Sequence, residues 1–168
     1  MRPASNWLTI LTLLILLAAC GKQSESDQSE EAVAPLLSAA TLGEQQVLSV
    51  DDYLAAEPFA SAAEKNGRQQ AQICRACHSF DRDGPNMIGP ALHGVFGRQA
   101  GAGKDFKYSQ ALQDAGFVWT PRALDAWLSQ PGTFLPGNRM TFAGIFREKD
   151  RNDLIAFLLL ETSDGNRE

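Results

Sequence analysis

The chain has 168 residues, 44% of them hydrophobic and 21% charged, which suits one core of ordinary size and excludes a low-complexity polymer. Three cysteines exclude a disulfide-dense scaffold, and a formal net charge of -5 argues against a nucleic-acid binder. The charge is uneven: residues 22–58 carry Lys22 against eight carboxylates, whereas residues 59–168 carry 13 Lys/Arg against 12 Asp/Glu, so the acidity belongs to a leader and the expected domain is nearly neutral.

Arg2 gives a short cationic start, and residues 7–19 follow as an apolar run interrupted only by Thr9 and Thr12. A helix of that length spans roughly 20 Å, short of the roughly 30 Å hydrocarbon core, so residues 1–19 read as a signal peptide rather than a membrane span. The run ends in Leu17-Ala18-Ala19-Cys20-Gly21, which resembles the bacterial lipobox, so Cys20 is the expected site of lipidation and the first residue of the mature chain. The competing reading is a plain secretory signal with an incidental cysteine. Residues 20–58 are rich in Ser, Glu, Gln and Ala, with Pro35 and Pro58 as breakers, and read as an acidic tether. As a flexible coil the stretch 21–57 would reach about 30 to 36 Å in root-mean-square terms. The alternative, part of it packed on the domain, is left open by residues 33–42.

Residues 59–168 read as the folded domain. Ser61 and Glu64 form the pattern of a capping box, opening a helix to about Cys74 whose inner stripe is Ala63, Gly67 and Ala71. Ser109 is placed to cap a short helix ending by Gly116. Thr120 before Pro121 is an N-cap with proline in the first turn, and Leu124, Trp127 and Leu128 make the apolar stripe of a helix that must stop before Pro131. Glu148, Asp150 and Asp153 lie early in a last helix with Leu154, Phe157 and Leu158 inward and Ser163-Asp164-Gly165 as the stop. Glycine and proline between Asp81 and Lys107 exclude any long regular element, and no alternating run suggests a sheet. The class is all-α with long loops, in a proportion that calls for something besides side chains to complete the core.

With Cys20 assigned to lipid, Cys74 and Cys77 remain, in Cys74-Arg75-Ala76-Cys77-His78. This is the attachment signature of c-type haem: each thiol adds to one vinyl group, two intervening residues let a helical turn span them, and the histidine lies beneath the iron. A thioredoxin-like redox pair and a zinc site completed by His93 are its competitors. The pair closes a helix rather than following a strand, which favours haem. Of the two methionines besides the initiator, Met87 is only nine residues beyond His78, whereas Met140 lies 62 residues on in the turn Leu135-Pro136-Gly137-Asn138-Arg139-Met140. A methionine in a glycine-and-proline loop, rather than on an apolar helix face, is the better candidate for a second ligand.

From Gly67 to about Leu160 the sequence resembles the class I mono-haem cytochromes c of mitochondria and bacteria. Besides the haem-attachment pentapeptide, the resemblance rests on Gly89-Pro90-Ala91-Leu92-His93-Gly94-Val95-Phe96-Gly97-Arg98, on the Met140 turn continued through Thr141-Phe142-Ala143-Gly144-Ile145, and on Asp153-Leu154-Ile155-Ala156-Phe157-Leu158. It implies the small class I cytochrome c fold around one covalent haem c, carried by Cys74 and Cys77, with His78 and Met140 as axial ligands. It further implies that the Pro90 carbonyl takes the free N–H of His78, that Arg98, Tyr108 and Trp119 face the haem propionates, and that His93 is structural. The chain departs from the mitochondrial pattern at Ala71, Leu112, Trp127 and Asn138. At Ile73, Gly132, Thr133 and Phe146 it lacks the lysines of those relatives.

Iron held by nitrogen and thioether has no open position and passes electrons. The expectation is a monomeric, lipid-anchored one-electron carrier on the periplasmic side of a bacterial membrane. Its partners would be redox proteins such as a quinol-cytochrome c reductase and a terminal oxidase, and it would bind no nucleic acid. The alternatives are a fixed subunit of an oxidase or reductase complex, and a haem peroxidase, which would need a labile Met140.

Overall fold

The computed structural model describes residues 38–164. The signal segment, Cys20 and the first part of the acidic leader lie outside the described residues. Among the described residues six α-helices follow a 3-10 turn at Ala39–Thr41: α1 (Val50–Ala55), α2 (Glu64–Arg75), α3 (Gln110–Gln113), α4 (Pro121–Ser129), α5 (Pro131–Phe134) and α6 (Glu148–Thr162). The only strand-like pairing among the described residues is an isolated antiparallel bridge between Gln99 and Val118, as the lack of alternating runs requires.

The tether expected to reach Pro58 is corrected: from residue 38 the leader is part of the domain. Leu42 is 1% exposed and sits in the hydrophobic core, a burial that contributes roughly 1.5–3 kcal/mol. Ser38 and Thr41 close a capping box around the 3-10 turn, and Ser49 caps α1 by accepting from the Asp52 N–H at 3.1 Å. A second correction concerns α2. Ser61 does not cap it but donates to Glu57 Oε2 at 2.6 Å, and the N-cap position falls on exposed Ala63. The capping oxygen comes instead from α6, where Asp153 Oδ1 accepts from the Ala63 N–H at 2.8 Å.

Glycine decides how closely α2 and α6 cross. A Cβ on Gly67 would stand 2.1 Å from the Asp153 carbonyl oxygen and 2.8 Å from Phe157 Cβ, so no other residue fits there. Ala71 continues the contact one turn on and is fully buried. The expected inward stripe of α6 is buried, but so are Ile155, Ala156 and Leu159, because α1, α2 and α4 pack on different sides of it. Thr120 caps α4 by accepting from the Ala123 N–H at 3.2 Å, with Pro121 in the first turn. The helix ends at Ser129, and Pro131 opens α5, a short helix the sequence pattern did not separate. Trp119, Trp127, Phe117 and Phe134 meet edge to face at centroid distances of 4.8 to 6.0 Å, the packing that ring quadrupoles favour. This aromatic wall and the loops after α2 and α5 hold the residues discussed next.

Candidate functional site

Cys74 belongs to the last turn of α2, and Cys77 and His78 follow on the turn that ends it, with the N–H groups of both Cys77 and His78 donating to the Cys74 carbonyl at 3.0 and 2.9 Å. The two cysteines are free thiols, and burial pushes the Cys74 thiol up to about 11. That is the reverse of a redox-active pair, which needs a thiol pKa lowered toward neutrality. His93, which the zinc alternative requires, turns to Asp164 at 3.4 Å instead. No group of three or more His, Cys, Asp or Glu side chains converges on a metal-sized site among the described residues.

His78 is held in one protonation state and one orientation. Its Nδ1 lies 2.7 Å from the Pro90 carbonyl oxygen, which can only accept, so Nδ1 carries the proton and Nε2 keeps its lone pair. Nε2 has no hydrogen-bond partner among the described residues. Burial holds the imidazole below its usual pKa against the opposing pull of the Pro90 bond, so the ring is neutral at neutral pH. Gly89 makes this possible sterically: a Cβ there would meet the ring at 2.3 Å from Cε1. Its own N–H donates to the Cys77 carbonyl at 2.9 Å, tying the Gly89-Pro90 segment to the thiol-bearing turn. A neutral imidazole with a free, oriented Nε2 beside two free thiols fits the donor set of a covalently attached haem.

The Met140 turn is shaped by Asn138. Its amide nitrogen donates to the carbonyls of Pro131 (2.9 Å) and Leu135 (2.8 Å), and its Oδ1 accepts from the Met140 N–H at 2.8 Å. Sequence reasoning named Asn138 only as a departure from a family pattern; an asparagine two residues before the candidate ligand is the signal of an Asx turn that it missed. Met140 packs half-buried against the core, whereas Met87 is 48% exposed. A loop of 141–147 runs on to α6 and is pinned by buried Arg151, which donates to the carbonyls of Ile145 (2.9 Å) and Phe146 (3.0 Å) and pairs with Asp125 at 2.6 Å.

Arg98 and Trp119 are joined through their backbones. The Trp119 N–H donates to the Arg98 carbonyl at 2.9 Å, and the Gly97 N–H donates back to the Trp119 carbonyl at 2.9 Å. Burial raises the Tyr108 hydroxyl, with the Arg98 charge and a backbone bond to Gly103 opposing it, so Arg98 and Tyr108 share one electrostatic neighbourhood. The Arg98 guanidinium is half-buried and donates to the Ala91 carbonyl at 3.1 Å. Trp119 is buried, and its indole N–H has no hydrogen-bond partner among the described residues. A cation, a phenol and an unpaired indole donor are the groups that would receive carboxylates brought into an apolar crevice.

No protein-family model matches the chain. Over 102 residues, 61% of its length, it is 45% identical to a protein described as a cytochrome c homolog in Rickettsia felis, of which it spans 58%. It is 44% identical over 85 residues to a cytochrome c of Gibberella zeae, covering 51% of this chain and 80% of that one. Its fold matches cytochrome cH from Methylobacterium extorquens with a TM-score of 0.54 and 37% identity, over 58% of this chain and 97% of that structure.

Proposed function

The chain belongs to the cytochrome c family, and from that premise we propose that it is a one-electron carrier, not an enzyme, with a single covalent haem c. When bound, haem c supplies one iron that gains and loses an electron without any other bond being made or broken. Cys74 and Cys77 would hold the group through their sulfurs, each S–H adding across one vinyl with nothing leaving. His78 presents neutral Nε2 as one ligand while Pro90 fixes its ring and strengthens its basicity. Met140 would present a soft thioether as the other, which would favour the reduced ion and raise the potential. Arg98, Tyr108 and Trp119 receive the propionates. A lipid on Cys20 anchors the protein at the periplasmic side of a bacterial membrane, with residues 21–37 as the link, and its partners are a quinol-oxidising reductase and a terminal oxidase.

The observation that carries this reading is the geometry at His78: its Nδ1–H is held by the Pro90 carbonyl at 2.7 Å, burial keeps the ring neutral, its Nε2 has no partner among the described residues, and Cys77 is its neighbour in the chain. Three measurements test it. Acidified organic solvent should leave all colour on the polypeptide. Met140→Ala should abolish the weak long-wavelength band of the oxidised protein and lower its potential, while Met87→Ala does neither. Cys20→Ser should leave the protein soluble or as uncleaved precursor. Extractable colour overturns the covalent haem, the reverse methionine result reassigns the ligand, and a wild type that is already soluble removes the anchor.

A further inference from the structure

The segment from residue 38 to α1 is a strap that crosses the domain, and one of its side chains behaves as a piece of strand. Residues 97–100 and 117–119 form a short antiparallel ribbon, closed by the Ala100 N–H to the Phe117 carbonyl (2.8 Å) and by the two Trp119 bonds already described. In this alternation the N–H and carbonyl of Val118 point to the outer side of the ribbon, where no third strand lies among the described residues. Gln45, 73 residues away in sequence, takes both: its Oε1 accepts from the Val118 N–H at 2.7 Å, and its Nε2 donates to the Val118 carbonyl at 2.9 Å. The amide thus replaces a strand with one peptide-like group.

The strap is fixed on either side of Gln45. Three residues before it, Leu42 is buried and its carbonyl accepts from the Arg122 guanidinium at 2.8 Å. Just after it, the Tyr53 hydroxyl donates to the Gln46 carbonyl and accepts from the Leu48 N–H, both at 3.0 Å. Between these anchors Val47 lies over the start of the ribbon, 3.4 Å from where a Cβ on Gly97 would be. Val118 is the direct neighbour of Trp119, and Trp119 is bonded through its backbone to Arg98. We infer that Gln45 is a positioning residue for the haem: by closing the outer edge of the ribbon at Val118, the strap holds Arg98 and Trp119 where they meet the propionates. Residues that precede α2 thereby take part in setting the reduction potential. This rests on the assignment of Arg98 and Trp119 proposed above.

The test uses the full-length holoprotein and the variants Gln45→Met, which keeps the side-chain volume and removes both hydrogen bonds, and Arg98→Ala. Potential is followed against pH, together with amide exchange at Val118. Loosening a cation and a donor from a carboxylate raises that carboxylate's pKa, so the inflection in the potential-against-pH curve should move to higher pH in Arg98→Ala. It should move the same way, by less, in Gln45→Met, with Val118 exchange at least tenfold faster and the long-wavelength band retained. In the double variant the two shifts should not add, because both act through one ribbon. Val118 exchange that quickens without any move of the inflection reduces Gln45 to an edge cap and overturns the inference alone. Unchanged Val118 exchange overturns it too, by removing the clamp. An Arg98→Ala protein with an unmoved inflection overturns the propionate assignment and this inference with it.

Discussion

At His78 a few atoms decide what the ring can do. A carbonyl that only accepts, a glycine that cannot push back and a buried site together give a neutral imidazole with one nitrogen free. The proposed second ligand, Met140, depends on a residue of another kind, since the Asn138 side chain makes three hydrogen bonds to the backbone of its own turn, at Pro131, Leu135 and Met140. At about 1 kcal/mol net for each such bond, Asn138→Ala should cost roughly 2–3 kcal/mol and allow the turn to open. Denaturant unfolding would read the first effect. The second should appear as a weaker long-wavelength band that fades at lower temperature than in the wild type, and a variant with an unchanged band would show that the turn holds its shape without the side chain.

Between elements, the crossing of α2 and α6 joins segments far apart in the chain and relies on Asp153 as much as on Gly67. Burial alone would raise that carboxyl, but hydrogen bonds from Lys149, the Ala63 N–H and Asn66 together hold it below the ordinary carboxylate value. A carboxylate lowered in the folded state contributes stability that is complete above its unfolded value, about 3.9, and is withdrawn as pH falls through the lower folded value. Asp153→Asn should therefore destabilise the protein most at neutral pH and remove part of its acid-induced loss of stability. Thermal unfolding followed from pH 7 downward checks this. A variant whose loss of stability is the same at every pH would show that the charge on Asp153 contributes nothing and only its shape matters.

For the whole molecule, the strap changes the electrostatics as well as the boundary. It adds Glu44, Asp51, Asp52 and Glu57 with no lysine or arginine, so residues 38–168 carry 13 cations against 16 carboxylates rather than being nearly neutral. The large side chains this body leaves open include Phe146 at 81%, Ile88 at 80% and Ile73 at 56% exposure. Among the cations nearby in sequence, Arg75 is tied to Glu161 at 3.0 Å and stacked on Phe80 at 4.3 Å. A surface of this kind would dock mainly by apolar contact, with little long-range attraction for an acidic partner. Electron transfer from the Cys20→Ser protein to a membrane oxidase should accordingly be slow and nearly flat as salt shortens the Debye length from about 30 to about 8 Å. The anchored protein should stay fast, because confinement at the membrane raises its effective concentration. A steep fall with salt would reveal attraction between opposite charges at the docking face.

The sequence alone determined whatever is written in short-range chemistry: the attachment pentapeptide, the proline and glycine turns, the Thr120 and Ser109 caps, and the helical class, each set by neighbours within a few residues. It also pointed to Pro90 and His78 as a pair, through the resemblance of their surroundings to a known pattern, and the 2.7 Å contact agrees. It misassigned the start of α2 because Ser61 and Glu64 satisfy a local rule that a carboxylate from α6, 90 residues away, satisfies better. It left the strap as tether because one buried leucine and a few apolar residues scattered among acidic and polar ones, with only Val50, Tyr53 and Leu54 spaced along a helix of one and a half turns, make too short a pattern to betray it. Only the tertiary structure, by bringing Val118 alongside, gives the Gln45 amide two partners, since hydrogen bonds between distant segments leave no local mark on composition or spacing.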